Sequence, residues 1–179
     1  MIEFAKPEDA ERIAEIQVFG WRSAYRGIVS DHHLFSVLTV AKRAVVFRDV
    51  IIREEQFRGS VADESGSDQA GSTYVLREDG IVKAFLCFGP CRDSDMKGVF
   101  ELWGIYVEPA MKRQGIGARL VEFCHQEAVR LGYSSIVLWV FRDNNESRGF
   151  YEKMGYQVQG SESFMENLET FKVRYICSL

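Results

Sequence analysis

The chain has 179 residues, of which 46% are hydrophobic and 27% are charged, and its formal net charge at pH 7 is −4. This length and composition predict a single globular domain over residues 1–179, and the negative charge argues against a nucleic-acid partner. The N-terminus lacks a signal-peptide pattern, and no stretch is long and apolar enough to span a bilayer. We therefore expect a cytoplasmic protein without a membrane partner.

The first part of the chain predicts one strand and three helices, placed by apolar periodicity and by capping residues such as Ser30 or Asp31. The next stretch, from Arg58 to Ser72, is polar, and we expect a mobile surface loop there. The predicted elements are the strand Ile2–Ala5 and the helices Pro7–Trp21, Ser30–Leu38 and Ala41–Arg53.

The rest of the chain mixes strands and helices. One strand lies between Gly98 and Pro109, and it is followed by a helix over Ile116–Leu131 and a second buried-type strand, Ser135–Phe141. We expect these two strands to be parallel, because the helix between them forms a crossover. The remaining predicted elements are the hairpin Thr73–Arg77 and Ile81–Phe88, the helix Glu146–Met154, and the antiparallel pair Tyr156–Gly160 and Phe171–Cys177.

This order predicts an α/β (α+β) fold in which a mixed, mostly antiparallel sheet is flanked by helices. Ligands tend to bind at the carboxyl ends of parallel strands, so the candidate site lies where the central pair ends.

A short basic loop, Lys112-Arg113-Gln114-Gly115-Ile116-Gly117, connects the first strand of this pair to its helix. Its glycines let the main chain approach a phosphate, and the unpaired N–H groups of the first helical turn would point at it. The loop is not a Walker A motif, and Leu120 stands where the dinucleotide fingerprint has its third glycine. An ordinary strand–helix turn with a solvated basic patch would have the same composition.

The loop resembles the acetyl-CoA loop Q/R-x-x-G-x-G/A of the GNAT superfamily of N-acetyltransferases, with Lys112 at the first position. A second motif, Asn144-x-x-Ser147-x-x-Phe150-Tyr151-x-x-x-Gly155-Tyr156, is similar to the N-x-x-A-x-x-F-Y-x-x-x-G-F element of the same superfamily. Taken alone, Asn144 could simply cap a helix and Tyr151 could be a core residue. The two motifs together, in the right order, identify the chain as a GNAT member.

The resemblance implies a splayed parallel strand pair that holds acetyl-CoA as the co-substrate. It implies an acetyltransferase that acts on a primary amine of a small molecule or peptide by direct transfer in a ternary complex, and small relatives often form homodimers. A non-catalytic acyl-CoA-binding regulatory module is the alternative. The implied cofactor-binding residues are Ile105, Tyr106, Val107, Lys112, Arg113, Gln114, Gly115, Ile116, Gly117, Ala118, Asn144, Ser147 and Tyr151.

Glu101 is the candidate general base for the attacking amine. In a regular strand, period-two alternation places it in an otherwise apolar row, where a carboxylate loses hydration. That row comprises Val99, Glu101, Trp103, Ile105 and Val107.

The resemblance also implies the groups that serve the acetyl carbonyl and the sulfur. Backbone N–H groups near Ile105 and Tyr106 would hold the oxyanion, and Gly104 suits the bulge that exposes such donors in relatives. Tyr151 would lie beside the sulfur. Its ordinary pKa of about 10 exceeds the 8.5 of a thiol, which favours a hydrogen bond over complete proton transfer.

The acceptor is expected to enter between the first two helices and residues 161–169. The acidic residues Asp63, Glu64 and Asp68 weakly favour a cationic amine, although such a run is usually a solvated face. The expected acceptor-lining residues are Trp21, Tyr25, Trp103 and Phe164.

Metal binding is not expected. Cys124 and His125 are neighbours on a helix and point in different directions, and Cys87 and Cys91 are better read as buried thiols. The triplet Asp31-His32-His33 resembles a metal phosphoesterase motif but fits the start of a helix with exposed histidines.

Overall fold

The computed structural model describes residues 1–60 and 71–179. Short 3₁₀ turns at Pro7–Asp9 and Pro109–Met111 and a π-helix at His33–Val37 accompany the longer elements. The strands are β1 (Ile2–Phe4), β2 (Ser72–Glu78), β3 (Ile81–Pro90), β4 (Phe100–Val107), β5 (Ser135–Phe141), β6 (Gln157–Met165) and β7 (Thr170–Ser178). The α-helices are α1 (Ala10–Ala24), α2 (Val40–Ser60), α3 (Ile116–Arg130) and α4 (Asn145–Lys153).

The strands form one sheet in the order β1-β2-β3-β4-β5-β7-β6. Every neighbouring pair is antiparallel except β4 and β5. One face packs against α3 and α4, and α1 and α2 cover the other. The predicted fold class, a mostly antiparallel sheet flanked by helices, is confirmed. Among the described helices, none is long and apolar enough to cross a membrane.

The parallel pair is short. It joins residues 100–102 of β4 to residues 136–138 of β5, and beyond this point the two strands no longer pair with each other. β4 continues beside β3 as far as Val107, and β5 continues beside β7 as far as Phe141. A gap therefore opens at the carboxyl ends of the two strands, and the predicted splayed pair is confirmed.

A β-bulge lies in β4 just before this gap. Leu102 is opposite Phe88 but Gly104 is opposite Cys87, so Trp103 is an extra residue. The bulge reverses the alternation of side chains along the strand. The predicted single row is therefore wrong: Ile105 and Val107 pack on the α3 face with Phe100 and Leu102, whereas Tyr106 packs toward α1.

Two predicted boundaries are wrong by several residues. The helix that was expected to end at Arg53 continues to Ser60. The helix predicted over Ser30–Leu38 is present, and it contains the π-helix. β6 does not end at Gly160, because a register shift between Val158 and Glu162 lets it resume toward Met165. The centre of the predicted polar loop, with Asp63, Glu64 and Asp68, lies outside the described residues.

The indole of Trp103 lies against two glycines. A Cβ atom built on Gly89 would lie 2.7 Å from the indole ring, and one on Gly71 would lie 1.9 Å from it. Both distances are shorter than a van der Waals contact, so only glycine lets the bulged tryptophan lie flat at this edge of the site.

We predict that Gly89→Ala lowers the free energy of unfolding by about 1–3 kcal/mol, because the added methyl group forces the Trp103 ring or β3 to move. Urea unfolding followed by circular dichroism measures the change. Gly149→Ala is the matched control: its Cβ has no neighbour within 4 Å, and within α4 alanine should stabilise by about 0.5–1 kcal/mol. Equal effects of the two substitutions would contradict the described packing of Trp103.

Candidate active site

A cavity of about 360 Å³ begins at the loop before α3 and runs inward along the carboxyl end of β4. Its walls are residues 105–107 of β4, residues 111–113 and 115–118 of the loop and α3, the inner face of α4, and the end of α1. Every residue predicted to contact the cofactor lines this cavity except Gln114 and Asn144.

The outer end of the cavity is suited to an anion. Gly115, with φ +77°, precedes the first turn of α3, and the N–H groups of that turn have no intrahelical acceptor. Lys112 and Arg113 add positive charge at the mouth. The Arg113 side chain is 88% exposed and lies 3.6 Å from Glu146, so it is free to reorient toward a ligand. Gln114 is exposed and does not line the cavity.

Asn144 caps α4 and does not reach the cavity. Its Oδ1 accepts a hydrogen bond from the Ser147 backbone N–H (3.2 Å), and its Nδ2 donates to Ser147 Oγ (2.8 Å). Both ends of the buried amide are therefore occupied within the cap. The cap fixes the start of the helix, so that Ser147, Phe150 and Tyr151 share the face that lines the cavity.

Tyr151 lies at the inner end of the cavity. Burial, together with the neighbouring Tyr106 phenol, raises the pKa of Tyr151 above its ordinary value. The phenol therefore stays protonated near neutral pH. Within the described chain no group forms a hydrogen bond with its hydroxyl, so the O–H remains available to donate to a ligand.

A second cavity, of about 230 Å³, lies on the α1 side of the gap and shares Tyr25, Ile105, Tyr106, Ser147 and Tyr151 with the first. The two cavities therefore meet beside Tyr151. Of the residues expected to line the acceptor side, Trp21, Tyr25 and Trp103 do so. Phe164 does not: it is 51% exposed and packs on Phe171, and Met165 faces the cavity in its place.

Glu101 lines the second cavity and is only 2% exposed. We expected apolar side chains around its carboxylate, but the carboxylate is paired with Arg92. The Arg92 backbone N–H (3.0 Å) and Nε (3.1 Å) donate to Oε2, and Nη2 (2.6 Å) donates to Oε1. Both acceptor positions of Oε2 are thus used, whereas Oε1 accepts one hydrogen bond and retains a second acceptor position.

Sequence reasoning missed Arg92. The residue follows the end of β3 in a segment without periodicity, and only the fold brings it beside Glu101. The one available signal was a basic residue directly after the Gly89-Pro90 strand end, next to a buried acid on the following strand.

The gap also frees backbone donors. Glu108 N–H donates to Lys83 C=O (2.9 Å) at the end of the β3–β4 ladder. Alternation in an antiparallel ladder then directs the N–H of Tyr106 toward β3, and the N–H groups of Ile105 and Val107 toward the gap. Of the two predicted oxyanion donors, Ile105 is therefore placed to donate into the junction and Tyr106 is not.

Comparison with known proteins decides the family. Residues 43–156 match the protein-family model described as the acetyltransferase (GNAT) family, which is more than half of the chain. The chain belongs to this family. It is accordingly an acyltransferase, as the two motifs predicted.

Relatives of this GNAT acetyltransferase agree with the assignment. The uncharacterized N-acetyltransferase YuaI of Bacillus subtilis is 27% identical over 161 residues, which cover 89% of this chain and 82% of YuaI. PaiA N-acetyltransferase from Thermoplasma acidophilum, solved in complex with coenzyme A, superposes with a TM-score of 0.76 at 18% identity, covering 100% and 98% of the two chains. YncA from Salmonella typhimurium, solved with acetyl-CoA, gives a TM-score of 0.66 at 18% identity, covering 100% and 93%.

The described residues give no support for a reaction through Cys124 as nucleophile or for a metal site. Cys124 is fully buried, and burial raises the pKa of its thiol, which disfavours the nucleophilic thiolate. In the residues that the structure describes, no three His, Cys, Asp or Glu side chains come together as a metal site.

Proposed function

We propose that this protein transfers an acetyl group from acetyl-CoA to a primary amine of a small molecule or peptide, directly and within a ternary complex. The observation that carries the proposal is that two cavities of different chemistry meet at Tyr151. One leads from a cationic loop, and the other contains a buried carboxylate. The cytoplasmic location and the homodimer stay predictions.

The chemistry of the first cavity fits coenzyme A. The N–H groups at the start of α3, with Lys112 and Arg113, would hold the pyrophosphate. The inner walls, formed in part by Ile105, Val107 and Phe150, suit the methylene and methyl groups of the pantetheine arm. The thiol end would then arrive at the Tyr151 phenol. Two structural neighbours were solved with coenzyme A or acetyl-CoA, which supports the same use of the fold.

In the proposed reaction the amine nitrogen bonds to the acetyl carbonyl carbon, the C–S bond breaks with its electron pair going to sulfur, and the proton that the nitrogen loses after the attack ends on the sulfur. The Ile105 N–H would donate to the oxygen that becomes negative. Tyr151 would donate to the leaving sulfur. Because burial raises the pKa of this phenol, complete proton transfer to a thiolate is even less favourable than for an ordinary tyrosine, and a hydrogen bond is the expected contribution.

The amine must lose a proton before it attacks. For an alkyl amine with a pKa near 10.4, forming the neutral amine at pH 7 costs about 4.6 kcal/mol. Glu101 lines the second cavity and its Oε1 retains an acceptor position, so it would take this proton directly or through a water molecule. Arg92 holds the carboxylate in a fixed orientation while this happens.

We predict that Gly115→Ala weakens acetyl-CoA binding about tenfold, which corresponds to about 1.4 kcal/mol. At φ +77° an alanine is strained, and the strain distorts the loop whose N–H groups would hold the pyrophosphate. Isothermal titration calorimetry measures the affinity. Gly132→Ala at the opposite end of α3 is the control, because it has a similar φ of +86° and equally open surroundings. Equal affinities in the two variants would show that the loop does not bind the cofactor.

We predict that Tyr151→Phe lowers kcat by about 10²–10³-fold with little change in acetyl-CoA affinity, because only the hydrogen bond to the leaving sulfur is lost. Release of the coenzyme A thiol across an amine panel measures kcat. Tyr156→Phe is the control: it removes the hydroxyl of a neighbouring buried tyrosine, which contacts His125 (3.0 Å) and lines neither cavity. Full activity in Tyr151→Phe would exclude the phenol from the reaction.

We predict that Glu101→Gln lowers kcat by about 10²–10⁴-fold and removes the acidic limb of the pH–rate profile, because the amide cannot accept a proton. Glu54→Gln is the matched control. Glu54 is also a buried carboxylate, which accepts hydrogen bonds from Thr73 outside both cavities. Its loss should destabilise the fold without changing the pH–rate profile. An unchanged acidic limb in Glu101→Gln would show that another group takes the proton.

A further inference from the structure

The charged side chains of the second cavity indicate the class of acceptor. Three of them line it: Glu101, Arg92 and Lys172. The first two neutralise each other in a close ion pair. The charge that remains is the ammonium group of Lys172, so the cavity is positive overall.

Both cations retain unused donors. Arg92 binds Glu101 through its backbone N–H, Nε and Nη2, and in the described chain Nη1 has no partner. Its guanidinium lies 4.9 Å from the Trp103 ring centroid, which fixes it although the side chain is 60% exposed. Lys172 Nζ lies 4.2 Å from the Trp139 ring centroid and has no hydrogen-bond or ion-pair partner among the described residues.

Two of the indoles that line the cavity already carry a cation of the protein. Arg92 lies over Trp103 and Lys172 lies over Trp139, and Arg174 also approaches Trp139 at 5.4 Å. An aromatic cage binds a ligand cation through free ring faces, so these two indoles are poor candidates for one.

Nearby carboxylates are also occupied. Asp93 accepts from Trp139 Nε1 (2.9 Å) and from Arg174 (3.0 Å), and Asp95 accepts from Arg174 (2.6 Å). Neither aspartate lines the cavity. The cationic acceptor that the sequence weakly favoured therefore finds little support among the described residues.

We propose that the acceptor is a small primary amine that also carries a carboxylate beside an apolar body, as an amino acid does. This inference deepens the proposed function and rests on it. The carboxylate would bind Lys172 Nζ and Arg92 Nη1, the apolar body would pack on the indoles, and the amine would face Glu101 Oε1 and the junction at Tyr151. A cavity of about 230 Å³ is smaller than the roughly 300–1,000 Å³ of drug-sized pockets, which favours a small molecule over a peptide segment.

The test is a thiol-release assay with matched acceptors. A panel of α- and ω-amino acids is compared with the amines that lack only the carboxylate, for example phenylalanine with 2-phenylethylamine, and with diamines. Rates are expressed per concentration of neutral amine to remove differences in amine pKa. We expect at least one amino acid to have a kcat/KM about 10–100-fold above that of its partner, as a charge-assisted hydrogen bond would give.

The variant Lys172→Gln separates recognition from chemistry. It should lower the kcat/KM for the amino acid by about 10–100-fold, mainly through KM, and lower that for the partner amine much less. Lys153→Gln, at an exposed position on α4 outside both cavities, should change neither acceptor.

The outcomes are distinguishable. Equal rates within every pair, a preference for diamines, or no effect of Lys172→Gln on the amino acid would overturn this inference and leave the acetyltransferase proposal intact. If acetyl-CoA binds but no member of the panel gives thiol release, both this inference and the acetyltransferase proposal are overturned.

Discussion

The divergence of β4 from β5 after only three paired positions is the constraint on which the rest of the site depends. Each strand stays in the sheet through its other neighbour, β3 or β7, so few ladder hydrogen bonds are given up. In return the gap exposes the Ile105 amide and creates the space where the two cavities meet. The bulge at Trp103 then places the side chains of Ile105 and Val107 on the α3 side of the sheet and that of Tyr106 on the α1 side.

The charges of the two cavities are arranged differently. The outer end of the first combines helix N–H groups with mobile cations, which suits a ligand whose phosphates remain near solvent. The junction is lined by tyrosines, and burial raises the pKa values of Tyr25, Tyr106 and Tyr151, so these phenols stay neutral donors. The charge pair of Glu101 and Arg92 lies beyond them in the second cavity, where orientation is fixed before a substrate arrives.

Much of this arrangement could be predicted from the sequence, because strand alternation, helix periodicity and the glycine-bearing loop are local signals. The exceptions have physical causes. One extra residue at Trp103 moves the side chains that follow it to the face opposite the one that regular alternation predicts, so Glu101 and Ile105 no longer belong to one row. The Glu101–Arg92 pair depends on how the segment after β3 folds back. From the sequence Asn144 could cap a helix or contact the cofactor, and the cap becomes evident only once Ser147 is placed.

A crystal structure of the protein with coenzyme A bound is the decisive measurement. The arrangement described here predicts that the pyrophosphate accepts hydrogen bonds from main-chain N–H groups at the start of α3, while the thiol of the same molecule lies within hydrogen-bond distance of the Tyr151 hydroxyl. A pyrophosphate bound elsewhere, or a thiol directed away from Tyr151 and the gap between β4 and β5, would contradict it.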